Sequence, residues 1–171
     1  MDERDGNPEI YAAVVDSSGE LVDPPGVFPL TDDPADSEQP AVVWDGSTFA
    51  VAWSDGRTGT GNIFLTRFNL TGTEPEVEVQ ITHAEEDATA PSIAWTGSAL
   101  GVAWQQGAGI HLQAFEGAGH PLLCEQEISG GGDSKDPVLV VIDTGFGVAW
   151  NDDREGNEEI YLSIVAHEAC P

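Results

Sequence analysis

Short apolar runs separated by clusters of Gly, Pro, Asp, Asn and Thr fill the chain, and none has the 3.6-residue spacing of an amphipathic helix. Within the runs the pattern has period two, which sends successive side chains to opposite faces of a strand. Phe49, Val51 and Trp53 fall on one face, with Ala50 and Ala52 on the other. Leu100, Val102 and Trp104 oppose Gly101 and Ala103 in the same way, as Phe146, Val148 and Trp150 oppose Gly147 and Ala149. Three runs are thus bulky on one face and small on the other.

The runs recur as a unit. Pro40-Ala-Val-Val-Trp44 returns as Pro91-Ser-Ile-Ala-Trp95 and more loosely as Pro137-Val-Leu-Val-Val141. The three runs with the bulky and small faces follow, with Trp53 and Trp104 lying 51 residues apart and Trp104 and Trp150 46 apart. A third run, Asn62-Ile-Phe-Leu-Thr-Arg-Phe68, matches segments beginning at Gly109, Glu159 and Glu9. A fourth ends in Leu30-Thr31, Ile81-Thr82 and Ile128-Ser129. We denote the runs A (from Pro40), B (from Phe49), C (from Ile63) and D (from Val77). Asp45-Gly-Ser-Thr48 predicts a tight A–B hairpin with glycine at positive φ. Gly19, Gly72 and Gly119 predict turns between C and D.

Repeated four-stranded sheets that are bulky on one side and small on the other stack like plates, each bulky face filling the hollow of its neighbour. The predicted fold is therefore all-β, a β-propeller of four-stranded antiparallel blades. In order the runs give C-D, A-B-C-D, A-B-C-D, A-B-C: thirteen strands, or three and a part blades. The units cover about 1–39 (partial), 40–90, 91–136 and 137–171 (partial), within one propeller domain or propeller fragment at 1–171. A usual ring takes four or more blades. The expectation is a piece of a longer propeller, a ring shared between chains, or a compact ring with incomplete blades. Association is favoured, because open blade faces and strand edges invite pairing.

The order P-x-x-x-W-D-G, F-A-V-A-W-S-D-G-R, N-I-F and V-Q-I-T resembles the blades of TolB-type, WD40-like secreted bacterial propellers. The resemblance covers essentially the whole chain and implies blades, not a ligand. The A–B turn departs from it by lacking Ser-Pro before Asp-Gly, and the sialidase-type Asp box is absent from every unit.

Charge changes the picture more than composition does. The residues are 40% hydrophobic and 21% charged, a globular balance. Thirty-one Asp and Glu oppose five basic residues, giving a formal net charge of −26. Such a surface repels phosphate backbones and anionic membranes, so neither nucleic acid nor membrane is an expected partner. Self-repulsion calls for screening by salt or bound cations. Met1-Asp2-Glu3-Arg4 has no apolar stretch and is not read as a signal peptide; the expected location is extracellular or at the cell surface, any leader having been removed. Cys124 and Cys170 have no metal spacing, and two readings stay open: one bridge in an exported chain, or two small buried residues.

The B–C loops carry Asp55-Gly-Arg57, Asp152-Asp-Arg154 and Asp2-Glu-Arg4. One reading is a ring of cation or glycan sites. The preferred one is structural: Asp caps the loop while Arg pairs with a carboxylate of the same or adjacent blade. The third unit shortens this loop to Gln105-Gln-Gly-Ala-Gly109 and breaks any ring of sites. Asp36, Asp87 and Asp133 stand four residues before the A-strand prolines, on the same side of the blades. With Asp55 and Asp152 they are the candidate ligands for a hard cation such as Ca²⁺, which wants several oxygens at once. No loop matches an EF-hand. His83, His111, His120 and His167 lack zinc spacing, and His111 occupies the packing position of Phe64, Tyr11 and Tyr161. Asn69-Leu70-Thr71 is a formal glycosylation sequon.

These features point to a non-enzymatic, exported propeller acting as a binding or scaffold module, cation-dependent, with self-association completing a ring and a glycan or protein as ligand. The alternatives are a propeller-type glycan-processing enzyme, against which the uniformly short loops speak, and a purely architectural fragment that assembles by oligomerisation.

Overall fold

The computed structural model describes residues 6–23, 26–69, 77–83, 85–116 and 121–166. Among them lie thirteen strands and no helix. β1 (Tyr11–Ala13) pairs with β2 (Val27–Pro29). β3 (Ser37–Trp44), β4 (Phe49–Asp55), β5 (Asn62–Phe68) and β6 (Val79–Gln80) form the second sheet in chain order. β7 (Ala88–Trp95), β8 (Ala99–Gln106), β9 (Gly109–Glu116) and β10 (Pro121–Glu127) form the third. β11 (Lys135–Ile142), β12 (Gly145–Asp152) and β13 (Glu159–Ala166) form the fourth. All pairings are antiparallel, so each sheet is a meander, as propeller blades are. The predicted order C-D, A-B-C-D, A-B-C-D, A-B-C is the observed one.

One boundary differs from expectation. The prolines do not open the A strands; each strand begins two or three residues earlier. The residue before each proline, Gln39, Ala90 and Asp136, has φ of 55°, 49° and 52°, and the ladder shifts register at each of these points. Every A strand therefore carries a bulge at its proline, where a missing N–H costs no ladder bond. The bulge turns the first residues of the strand towards the preceding sheet. There the N–H of Ser37, Ala88 and Ser134 donates to the carbonyl of Pro8, Gly61 and Ala108, at 2.9, 2.8 and 3.0 Å.

The turns follow their residues. Gly46 and Gly97 take φ of 101° and 99° in the A–B hairpins. The Asp45 carboxylate accepts from the N–H groups of Ser47 and Thr48 at 2.8 and 2.7 Å and pairs with Arg67. Gly19, at φ 86°, turns β1 towards β2; Gly72 and Gly119 lie outside the described residues. Each D segment closes on strand C through its Thr or Ser: the N–H of Ile10, Ile63 and Ile110 donates to the hydroxyl of Thr31, Thr82 and Ser129 at 2.9, 2.9 and 3.0 Å.

Packing between sheets follows the two-faced pattern. Ala50, Ala52, Ile63 and Leu65 of the second sheet meet Leu100, Val102 and Trp104 of the third. Ala103, Ile110, Leu112 and Ala114 of the third meet Phe146, Val148 and Trp150 of the fourth. Val51, Trp53, Phe64 and Phe68 of the second cover Ile10, Phe28 and Leu30. Trp53 and Trp104 have no exposed surface and Trp150 only 4%. The absent side chain at Gly101 is the space for Phe146, whose ring a Cβ there would overlap.

Gly101→Ala should therefore cost about 1–3 kcal/mol through overpacking. Phe146→Leu in the same background should recover part of that loss, so the two changes are non-additive. Trp104→Ala should cost about 3–5 kcal/mol through lost burial and cavity. Urea unfolding of the wild type, Gly101→Ala, Phe146→Leu, their double variant and Trp104→Ala measures all of this; strict additivity at Gly101 and Phe146 would contradict the packing.

Candidate functional site

The loops that join B to C and D to A meet on one side of the sheets. The Gly56 N–H donates to the Asp36 carbonyl at 3.0 Å, and the Gly61 N–H to Asp87 Oδ1 at 2.8 Å. The Asp133 N–H donates to Asp153 Oδ1 at 2.9 Å. The acidic positions expected to converge do share this side, but at different depths. Asp36, Asp87 and Asp133 are exposed, whereas Asp55 and Asp152 are buried.

Asp55 ends β4, two residues after Trp53. Its Oδ2 accepts from Trp53 Nε1 at 2.8 Å, Ser37 Oγ at 3.0 Å and Arg57 Nη2 at 2.6 Å. Its Oδ1 accepts from Arg57 N and Nε at 2.9 and 2.8 Å. Asp152 has the same five donors one sheet-pair later: Trp150 Nε1, Ser134 Oγ and three groups of Arg154. Each guanidinium then lies over an aromatic ring of strand C, Arg57 4.5 Å from the Phe64 centroid and Arg154 4.1 Å from that of Tyr161. Those rings stack on Trp53 and Trp150. The result is a pile of tryptophan, ring and guanidinium, pinned by a buried carboxylate below and closed by cation–π contact above. Arg57 also meets Glu78 at 2.5 Å, and Arg154 Nη2 donates to the Ser129 carbonyl at 2.7 Å, tying the loop to strand D of its own or the preceding sheet.

The third sheet shows what remains without the charges. Gln106 stands where Asp55 and Asp152 stand, and accepts from Trp104 Nε1 at 3.1 Å. His111 takes the ring position, stacked on Trp104 with centroids 5.8 Å apart and bonded to Glu125 at 3.1 Å. It is the packing substitute expected of it. Asp2-Glu-Arg4, His120 and His167 lie outside the described residues.

The two pinning carboxylates differ in what holds them ionised. For Asp152 the Arg154 side chain is the largest influence, and with Ser134 and Trp150 it outweighs burial and drives the carboxyl far below its usual range. For Asp55 burial is the largest influence and opposes ionisation, yet the bonds from Arg57 and Trp53 still bring the value down. With five donors on two oxygens, these carboxylates serve the loop. Asp133 is engaged by Lys135 at 3.3 Å. Among the described residues no three His, Cys, Asp or Glu side chains come together as a metal cage. Nor is any helix there long and apolar enough to cross a membrane. Cys124 is disulfide-bonded; Cys170, the only other cysteine of the chain, lies outside the described residues.

No protein-family model and no curated protein matches the chain. Solved structures do. TolB from Acinetobacter baumannii is similar over 88% of this chain at 16% identity, with a TM-score of 0.52. The GH43 endo-arabinanase from Bacillus licheniformis matches over 86% of this chain at 15% identity, with a TM-score of 0.44, and the match covers 60% of the arabinanase. The chain spans about a third of the TolB length, 34%. At this identity the likeness to TolB establishes the propeller fold and nothing finer.

Because the folded carboxyl values lie below the unfolded one of about 3.9, the pins stabilise fully above about pH 4 and are lost as pH falls towards the folded values. Asp152→Asn should thus lower stability at pH 7 and flatten its decline between pH 4 and 2. Urea midpoints across that range test this; an unchanged acid limb would place the carboxylate's contribution elsewhere.

Proposed function

We propose that this chain is a non-enzymatic, exported propeller module that works by binding and scaffolding, with association through its sheet faces as the first step. The observation that supports this most is the outer face of the fourth sheet. Ile63 and Leu65 of strand β5, and Ile110 and Leu112 of β9, are buried under the following sheet. Their equivalents in β13, Ile160 and Leu162, are 73% and 66% exposed, with Ile164 next along the same face 66% exposed, beside exposed Val138 and Val140. Gly147 and Ala149 lie between them on the same face. This is the face that twice in the molecule accepts the bulky side of another blade. Contiguous apolar surface of this kind marks interaction sites, and full burial of each such side chain is worth about 1.5–3 kcal/mol.

At the far end of the stack, Tyr11, Ala13, Val15 and Val27 of the first sheet belong to a bulky-type face, with Val15 and Val27 exposed. A second copy placed head to tail brings these two faces together and extends the stack towards a ring. The formal charge of −26 opposes this at low salt. Calcium then enters as a counter-ion for exposed carboxylates such as Asp36, Asp87 and Asp133, whose neutralisation lets the apolar ends meet.

Light scattering at rising NaCl, with and without calcium, should show association that grows with ionic strength and grows further with calcium. Leu162→Glu should leave the fold intact, because the side chain is already exposed, and should keep the protein monomeric in every condition. A wild-type chain that stays monomeric at high salt and high concentration would overturn self-association through this face.

A further inference from the structure

The pile of tryptophan, ring and guanidinium is complete in two sheets and lacks its top layer in the third. There His111 stacks on Trp104 as Phe64 stacks on Trp53, but no arginine follows in the loop. Six residues separate Asp55 from Asn62, whereas only Gly107 and Ala108 separate Gln106 from Gly109. The shortening removes the residue that reaches over the ring, and the His111 side chain keeps 17% of its surface exposed. The far wall of the position is retained. Ile81-Thr82 and Ile128-Ser129 bond strand C in the same way, so Glu125 stands where Glu78 grips Arg57, and Glu127 stands where Gln80 does. Glu125 Oε1 is 3.1 Å from His111 Nδ1. Glu127 lies directly across the ladder from His111, and its carboxyl carbon would be 3.2 Å from a Cβ on Gly109. The Glu86 carboxylate, from the loop that enters the sheet, rests against Gly107.

We infer that the His111 ring, Glu125 and Glu127 form a slot for the guanidinium of an arginine presented by a basic partner protein. The equivalent slot is occupied in the second sheet. There the Phe64 ring and the Glu78 carboxylate hold Arg57 from two directions, with the guanidinium 4.5 Å from the ring centroid. A carboxylate has two oxygens, so Glu125 can hold His111 and a guanidinium together, as Asp55 holds Trp53 and Arg57. The charges also match. Asp55, Glu78 and Arg57 leave one negative charge in the second sheet; Glu125 and Glu127 leave two, and one guanidinium restores the same remainder. A guanidinium suits the slot better than an ammonium, because it is planar, stacks on a ring and bonds two carboxylates at fixed angles. Among the described residues every cation is engaged elsewhere: Arg57 by Asp55 and Glu78, Arg67 by Asp45, Lys135 by Asp133 and Glu158, and Arg154 by Asp152. A second copy is therefore a poor source of the arginine, whereas a formal charge of −26 draws basic proteins to this surface. The slot lies apart from the outer face of the fourth sheet, so the inference goes beyond association of like chains and stands without it.

The probe is the blocked peptide acetyl-Gly-Gly-Arg-Gly-Gly-amide, followed by NMR through the indole N–H of Trp104, the ring beneath His111. The control is its lysine counterpart, which carries the same charge. Saturable shifts, with the arginine peptide bound at least about fivefold tighter than the lysine one, support the slot. Equal affinities, or shifts that never saturate, overturn it, since diffuse attraction to an acidic surface does not tell guanidinium from ammonium. The double variant Glu125→Gln, Glu127→Gln should weaken the arginine peptide at least about tenfold with an unchanged thermal transition. Asp143→Asn, an equivalent change in the A–B turn of the fourth sheet, should leave binding as it is. Unaltered binding by the double variant, or equal weakening by Asp143→Asn, also overturns the slot. Free arginine bound more tightly than the peptide would make the ligand a small molecule and remove the protein partner. The Leu162→Glu protein should bind the peptide as the wild type does, which separates failure of this slot from failure of association at the fourth sheet.

Discussion

Everything else in the molecule depends on one steric constraint: a bulky blade face must find a small one. With the side chain at Gly101 reduced to hydrogen, the Phe146 ring enters the third sheet and the fourth can approach it. The same complementarity operates between Ala50, Ala52 and the bulky residues of β8. Sheets packed in this way are ordered in a single direction, because a small face has no bulk with which to fill the hollow of another small face. The stack is therefore polar, with an accepting end at β11–β13 and a donating end at β1–β2. The exposed apolar residues at the two ends are consequences of that polarity and not scattered accidents of the surface.

The loops translate this stacking into a rigid rim. A buried carboxylate is costly unless every lone pair is used, and in Asp55 and Asp152 five donors share two oxygens. One of those donors is the indole of the interfacial tryptophan, so the ring that fills the core is oriented by the loop that closes the blade. Another is the hydroxyl of Ser37 or Ser134 at the start of strand A, beside the backbone bond to the preceding sheet. The Asp-x-Arg motif thus couples three things that would otherwise be independent: the tryptophan's rotamer, the loop's shape and the approach of the neighbouring blade.

The sequence made the B strands legible because their period-two alternation pairs bulky residues with alanine or glycine, a pattern that only a two-sided burial explains. It made the Thr and Ser ends of strand D legible as a repeat, although not their role, since a hydroxyl bonding the first N–H of strand C has no compositional mark. The bulges at Gln39, Ala90 and Asp136 were hidden for a different reason. Three unrelated residues adopt positive φ there, and the proline that follows reads as a strand boundary when it stands inside the strand. Depth was hidden as well: Asp36 and Asp55 look alike in the chain, and only the fold separates an exposed loop carboxylate from one that has surrendered both oxygens to its own blade.

The third sheet shows why the charged pile is not uniform. It has neither the acid nor the guanidinium, and Gln106 and His111 make one hydrogen bond and one stack where the neighbouring sheets make a full cage. Yet Trp104 is as fully buried as Trp53. The third is clamped by a bulky face on one side and a small face on the other, so packing alone fixes its tryptophan. The second and fourth add the Asp–Arg pin to the same packing, since Trp53 and Trp150 are also covered by a neighbouring sheet. The charged motif thus reinforces tryptophans that packing already holds.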